Sequence, residues 1–255
     1  MNRSLKISQA FSGAAESYDQ HAFVQNFVAQ KLARTILDQK KSSLGTVLEI
    51  GSGTGILSTH LVSHAEHYVL TDISFELLQK AREKVRGDSI IPIVVNGEHP
   101  CFSASFDVIV SNLVLHWFQD AKAALTGLAA CLKPGGTLYL SALGNNTFHE
   151  WRTIHSVVDA SCGVLDFISF GQLKDWLPLF GERHVEEDWV VTTPANTLQF
   201  LHGLKAIGAS TPHSGHKPLP YGTFKKIMDL YDENPTTSFQ VLYGIYQKPE
   251  KIREE

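Results

Sequence analysis

The sequence predicts an α/β fold, a doubly wound and mostly parallel sheet with helices on both faces. Three observations carry that prediction. Short apolar runs alternate with amphipathic stretches from residue 45 to 143, the rhythm of β-α-β units with right-handed crossovers. A glycine-rich turn, Gly51-Ser52-Gly53-Thr54-Gly55, follows the first of those runs. After residue 143 the rhythm breaks, and two late strand-like runs flank a long excursion, the pattern of an antiparallel sheet edge.

The elements follow in order. Val24, Phe27, Val28, Lys31, Leu32 and Ile36 keep 3.6-residue spacing and predict a helix; the stretch Phe11 to Tyr18 before it has no clear period. Val47–Ile50 is a strand, the glycine turn opens a helix over Ile56–Val62, and Tyr68–Asp72 is the second strand. Ser74 is placed to cap a helix from Phe75 to Val85. Ile90–Val95 and Phe106–Ser111 read as strands of the fully buried kind, and a helix over Ala121–Leu132 stops at Lys133-Pro134-Gly135-Gly136. Thr137–Leu143 is the fifth strand. Beyond it, helices near Thr147–Ala160, Gln172–Leu179, Asn196–Ile207 and Tyr221–Tyr231 surround strands near Val185–Thr192 and Ser238–Gln247. The whole chain, 1–255, is expected to be a single domain. It would comprise a helical N-terminal cap (1–44), a ligand-binding core (45–143), a substrate cap with the sheet edge (144–235), and a last strand with its tail (236–255).

Composition narrows the classes. The 255 residues are 43% apolar with formal net charge −4, which is enough to bury a core but not to hold polyphosphate by bulk charge, so nucleic acid is an unexpected partner. No apolar run is long enough to span a membrane, no secretory signal opens the chain, and a membrane partner is not expected. Cys101, Cys131 and Cys162 form no CxxC pair and read as reduced, buried thiols of a cytoplasmic protein. His60, His64 and His67 have helical spacing, but no nearby ligand set completes a zinc site, so no metal is predicted. A monomer is the expectation, although no residue pattern sets the oligomeric state.

The chemistry lies in Glu49-Ile50-Gly51-Ser52-Gly53-Thr54-Gly55. A strand-to-helix turn presents backbone N–H groups to a ligand, and glycine allows the close approach. Asp72, 21 residues beyond Gly51 at the end of the second strand, stands where a carboxylate accepts from ribose hydroxyls. A dinucleotide fingerprint needs its third glycine at position 56, which is Ile. The GxGxG spacing, with an acid two places before it, resembles that of class I S-adenosylmethionine-dependent methyltransferases. Later landmarks agree: Asn96-Gly97-Glu98, Phe106-Asp107, and Leu132-Lys133-Pro134-Gly135-Gly136.

The resemblance implies a Rossmann-like, seven-stranded sheet with an antiparallel edge strand and helical caps at both ends. It also implies S-adenosylmethionine as cofactor. Glu49, Gly51, Ser52 and Gly53 would then lie on the methionine side, Asp72 on the ribose, and Ile73, Asn96, Gly97 and Glu98 around the adenine. Ser111 and Leu113 would back the methionine. Asn96 replaces the Asp frequent in the family, which keeps one acceptor and loses the charge.

The flanks extend the likeness. Ala10-Phe11-Ser12, Tyr18-Asp19, Gln25, the run from Asp107 to Trp117, Leu204-Lys205-Ala206 and Tyr243-Gly244-Ile245 resemble the malonyl-acyl-carrier-protein O-methyltransferases of biotin synthesis. Trans-aconitate and related small-acid methyltransferases share much of this pattern. The resemblance implies methylation of the free carboxylate of a malonyl thioester on acyl carrier protein, hiding a charge before chain elongation. Tyr18 and His116 would hold the carboxylate toward the methyl, beside Gln25, Asn112 and Trp117. Arg152 or Lys205 would pair with its charge. Lys217, Lys225 and Lys226 would form a basic rim for the carrier. The competing readings are a methyltransferase for a free small acid and an inactive cofactor-binding partner subunit.

Overall fold

The computed structural model describes residues 3–87, 89–209, 211–213 and 215–250. Seven strands form one sheet in the order β3-β2-β1-β4-β5-β7-β6. They are β1 (Thr46–Ile50), β2 (His67–Asp72), β3 (Ile90–Val94), β4 (Phe106–Asn112), β5 (Leu132–Leu143), β6 (Glu182–Thr192) and β7 (Thr237–Gln247). β1 to β5 are mutually parallel. β7 runs antiparallel to both β5 and β6, so the antiparallel margin has β7 one place in from the rim. The chain order reverses between β1 and β4, and that switch point opens a crevice at the strand ends.

Alternation along the strands feeds two apolar layers. Val47, Leu70, Val108 and Tyr139 face α3 (Phe23–Gln39), α4 (Ser58–Leu61) and α5 (Phe75–Lys84). Leu48, Val69, Ile109 and Leu138 face α6 (Ala121–Ala130) and α8 (Phe170–Trp176). A third cluster joins α7 (His149–Val157), α9 (Thr197–Ala206) and α10 (Tyr221–Glu233) through Trp151, Phe200, Ile227 and Tyr231. The helix starts are capped as their sequences suggest. Ser74 accepts from the Leu77 N–H at 3.2 Å, Asp120 from Ala123 at 2.9 Å and Asn196 from Gln199 at 3.0 Å.

Several expectations need correction. β3 is not a fully buried strand: it lies at the open edge, with Ile91 and Val94 each half exposed and Pro92 tolerated for that reason. The helix expected over Ile56–Val62 shrinks to α4, continued by a 3₁₀ turn over Val62–His64. Residues 133–136 do not stand outside the fifth strand; β5 begins at Leu132 and passes through an irregular register opposite Phe106 and Val108. Phe11 belongs to a helix, α1 (Arg3–Ala14), followed by the single turn α2 (Tyr18–His21). Of the three cysteines expected to be buried only Cys131 is; Cys101 is exposed and Cys162 half-buried. His67 stands on β2, so the three histidines share no helix face. Among the described residues, no helix is long and apolar enough to cross a membrane.

Candidate active site

The loop after β1 turns on glycine. Gly51 has φ +67° and Gly53 φ +56°, and a Cβ at Gly51 would sit 2.4 Å from Val114 Cγ2. The loop is pinned from β2: Asp72 Oδ2 accepts from the Gly53 N–H at 2.8 Å, while its Oδ1 accepts from the Ser74 N–H at 2.8 Å. Burial raises the Asp72 carboxyl to about 6, against the backbone N–H groups of Ser74, Gly53 and Ile73 that pull it down. Ser52 Oγ is buried with no hydrogen-bond partner among the described residues. An orphaned hydroxyl in a glycine loop fits a polar ligand group.

Glu49 sits behind the loop. Its Oε2 accepts from Ser58 Oγ at 2.5 Å and from Tyr68 Oη at 2.7 Å. Burial lifts its carboxyl to about 7, well above the usual carboxylate range. A folded-state pKa raised this way contributes stability below the unfolded value and loses it as pH rises through about 7. The loss is on the order of 3 kcal/mol. Glu49→Gln keeps an acceptor and removes the titration. The urea midpoint of the free protein should therefore fall less between pH 5 and pH 8 in the variant, and equal slopes would refute this.

A narrow cleft opens above the loop. Of the residues predicted for the cofactor, Gly51, Gly53, Asp72, Ile73, Asn96, Gly97, Glu98 and Leu113 line it. Ser52 and Glu49 line a small adjoining space behind the loop, shared with Gly51 and Gly53. Ser111 stands outside both linings, and its hydroxyl donates to the Ile50 carbonyl at 3.1 Å. Glu98 is committed as a cap, accepting from the Gln119 and Asp120 N–H groups at 2.7 Å each. Asn96 Oδ1 accepts from the Glu98 N–H at 3.1 Å, which leaves its amide N–H₂ for the cleft. Gly97 packs so closely that a Cβ would lie 2.3 Å from Ile50 Cγ2.

The N-terminal helices roof this cleft. Ile7 and Phe11 line it from α1, whose Ser8 donates to the Ile73 carbonyl at 3.2 Å and whose Ser12 donates to Glu76 at 2.5 Å. Asp19 accepts from Thr54 Oγ1 at 2.5 Å and pairs with Lys84. Ser17 donates to the Ala206 carbonyl at 2.9 Å, tying the roof to α9. Sequence reasoning expects a helical cap over residues 1–44 but not how α1 is seated, because its anchors lie more than sixty residues away along the chain.

Next to the cleft lies a larger chamber of about 670 Å³. Gln25 and Trp117 line both spaces, as do Ile207 and Ala209. Tyr18 and Asn112 line the cleft, whereas His116 lines the chamber, its ring 4.9 Å from Trp117 and 5.5 Å from Phe167 between centroids. The two proposed carboxylate holders thus stand on opposite sides of the Gln25–Trp117 junction. Lys205 is at the chamber's exposed rim. Arg152 is turned aside, its guanidinium donating to the carbonyls of Leu165 at 2.7 Å and Thr147 at 3.3 Å. Lys225 pairs with Asp229 at 2.8 Å, while Lys217 and Lys226 are exposed.

Comparisons with known proteins agree with this geometry. Residues 48–140 match a family described as "Methyltransferase domain". The chain is 33% identical to the malonyl-[acyl-carrier protein] O-methyltransferase of Magnetococcus marinus, over 97% of this chain and 94% of that protein. It is 31% identical to the biotin biosynthesis bifunctional protein BioCD of Bordetella avium, covering 96% of this chain but only 53% of that protein. In fold it is similar to phosphoethanolamine N-methyltransferase 2 of Haemonchus contortus in complex with S-adenosylhomocysteine. That match has TM-score 0.62 and 15% identity, and covers 98% of this chain and 61% of that one. The methyltransferase-domain match and the identity along nearly the whole of both chains show that this chain is an S-adenosylmethionine-dependent methyltransferase and belongs to the malonyl-[acyl-carrier protein] O-methyltransferase family.

Proposed function

We propose that this enzyme methylates the free carboxylate of a malonyl thioester carried on acyl carrier protein, as the names of its relatives indicate for them. The observation that carries the reading is the chamber lining. Among the described residues it contains no Asp or Glu, but it holds four imidazoles, from His116, His155, His202 and His216, together with Lys205. Such a wall admits an anion and repels no carboxylate.

The residues divide the work. Gly51, Ser52 and Gly53 would hold the methionine end of the cofactor, Asp72 the ribose, and Ile73 with Asn96 and Gly97 the adenine. When bound, S-adenosylmethionine supplies a methyl group already activated by its sulfonium. A carboxylate is ionised at neutral pH, so the protein needs no general base. Its task is alignment and exclusion of water. Burial raises the Tyr18 phenol far above its ordinary range, with Asp72 and Asp19 adding to the shift, so Tyr18 remains a hydrogen-bond donor at working pH. Gln25 and Trp117 form the junction through which the carboxylate meets the methyl, with His116 and Lys205 facing the incoming charge.

The test is methyl transfer from labelled cofactor to malonyl-acyl-carrier protein, beside malonyl-coenzyme A, trans-aconitate and a blank without acceptor. Base-labile label on the carrier, at a rate that falls with added salt, is the expected result. Label on a free acid alone would replace the carrier reading. Cofactor binding with no label on any acid would overturn carboxyl methylation.

A further inference from the structure

The junction between cleft and chamber is built largely by one short segment. The loop leaving β4 carries Leu113, Val114 and Trp117 into the cleft and His116 into the chamber, directly after Asn112. Val114 also sets the fit of the glycine loop, because its side chain fills the space a Cβ at Gly51 would need. Gln25, which lines both spaces, comes from α3 in a distant part of the chain. Alignment at the junction therefore requires the loop and that helix to be held together.

The loop is strained where it turns. Leu113 has φ +56°, a left-handed backbone that residues with a side chain rarely adopt. Such a conformation persists where the surroundings over-determine it. Both acceptors that do so here belong to Ser141 of β5. The Leu113 N–H donates to the Ser141 carbonyl at 3.1 Å and to its Oγ at 3.0 Å. Ser141 stands opposite Asn112 in the β4–β5 pair and is 1% exposed. It lines neither the cleft nor the chamber.

The hydrogen bonds continue in one direction. The Ser141 hydroxyl donates to Asn112 Oδ1 at 2.7 Å, and Asn112 Nδ2 donates to the Gln25 carbonyl at 3.2 Å. A main-chain carbonyl only accepts, so the Asn112 amide turns its nitrogen to α3 and its oxygen to β5. That oxygen needs a donor, which Ser141 supplies while its lone pair takes the Leu113 N–H. Bonds aligned in this way polarise and strengthen one another. Asn112, expected from the sequence to touch the acceptor, thus spends its amide oxygen and one amide hydrogen on the scaffold.

We propose that Ser141 is a positioning residue for methyl transfer, acting through Asn112 to hold the β4 exit loop and Gln25 in one alignment. A reaction whose methyl group is already activated depends on alignment, and a misplacement of about 1 Å is worth about 10²-fold in rate. The activity arm of the test rests on carboxyl methylation as read above; the second arm does not.

The test combines Ser141→Ala and Asn112→Leu, which remove polar groups without adding bulk, singly and together. With malonyl-acyl-carrier protein as acceptor, Ser141→Ala should lower kcat at least about tenfold and leave KM within about threefold. The double variant should be no more than about threefold slower than the slower single variant, because one relay is broken only once. Hydrogen exchange of the free protein needs no acceptor. Amides of residues 113–117 should exchange at least about tenfold faster in Ser141→Ala, while those of β2 keep their wild-type rates. Losses that multiply in the double variant, or a loss confined to KM, would overturn the relay. So would unchanged exchange at 113–117, and exchange raised throughout the sheet would make Ser141 a residue of the fold alone. A wild type that transfers no methyl to the carrier would overturn the carboxylate reading and leave the exchange rates to decide the relay.

Discussion

Asp72→Ala should raise the dissociation constant for S-adenosylmethionine by at least about 100-fold. Each hydrogen bond from a ribose hydroxyl to a charged acceptor contributes about 1.5–3 kcal/mol, and two are lost. The substitution also frees the Gly53 and Ser74 N–H groups that Asp72 holds at 2.8 Å, loosening the loop. The pH dependence separates charge from shape. With its folded-state pKa raised to about 6, Asp72 is ionised above that pH and protonated below it. Cofactor affinity should therefore weaken about tenfold per pH unit below about pH 6, because only the carboxylate accepts from both hydroxyls. Stability of the free protein runs the other way. A raised carboxyl contributes stability below its unfolded value of 3.8 and loses it as pH rises through about 6. Asp72→Asn should bind weakly at every pH with no slope. Calorimetric titration at pH 5, 6 and 7.5 checks all three proteins, and an unchanged dissociation constant in Asp72→Ala would remove Asp72 from the cofactor site.

The sequence made the centre of the fold readable because backbone geometry there is written in residue type. Gly51, Gly53 and Gly55 all have positive φ, and a turn of that kind between an apolar run and a helix admits few ligands. Burial was less readable than element type. Ile90–Val94 has the same apolar run as an inner strand, but its place at the sheet edge leaves half its surface in water, and strand order is a property of the whole sheet. The seating of the N-terminal cap over the cleft was hidden for a related reason. α1 has a weak apolar stripe, and what fixes it is hydrogen bonding from Ser8 and Ser12 to Ile73 and Glu76, contacts that no local window contains. Arg152 and Lys205 show the limit most clearly. Both were basic residues on cap helices with equal claims to a substrate charge. The fold turns Arg152 onto two backbone carbonyls and leaves Lys205 on the chamber rim, a difference decided by the loop carrying Leu165. The aromatic chamber itself draws on α7, α9 and β7, so only tertiary structure could reveal it.

Tyr18→Phe should lower kcat by about a hundredfold while changing affinity for S-adenosylmethionine by less than about threefold. The ring stays, so the packing of α2 over the glycine loop is kept; only the phenolic hydroxyl is lost. Tyr18 lines the cleft beside Gly51, Gly53 and Asp72, with Gln25 and Asn112 also in both linings that Tyr18 shares. Its buried phenol stays protonated, so it can donate to a carboxylate oxygen and fix its line of approach. Loss of such positioning costs rate rather than affinity, and a misplacement of about 1 Å is worth about 10²-fold. Because Tyr18 does not titrate near neutral pH, the variant's kcat should keep the wild-type pH profile at a lower level. Single-turnover rates with saturating cofactor, set beside the calorimetric dissociation constant, separate the two roles. A dissociation constant that rises in step with the fall in kcat/KM would assign Tyr18 to holding the cofactor and leave His116, across the Gln25–Trp117 junction, as the group that meets the carboxylate.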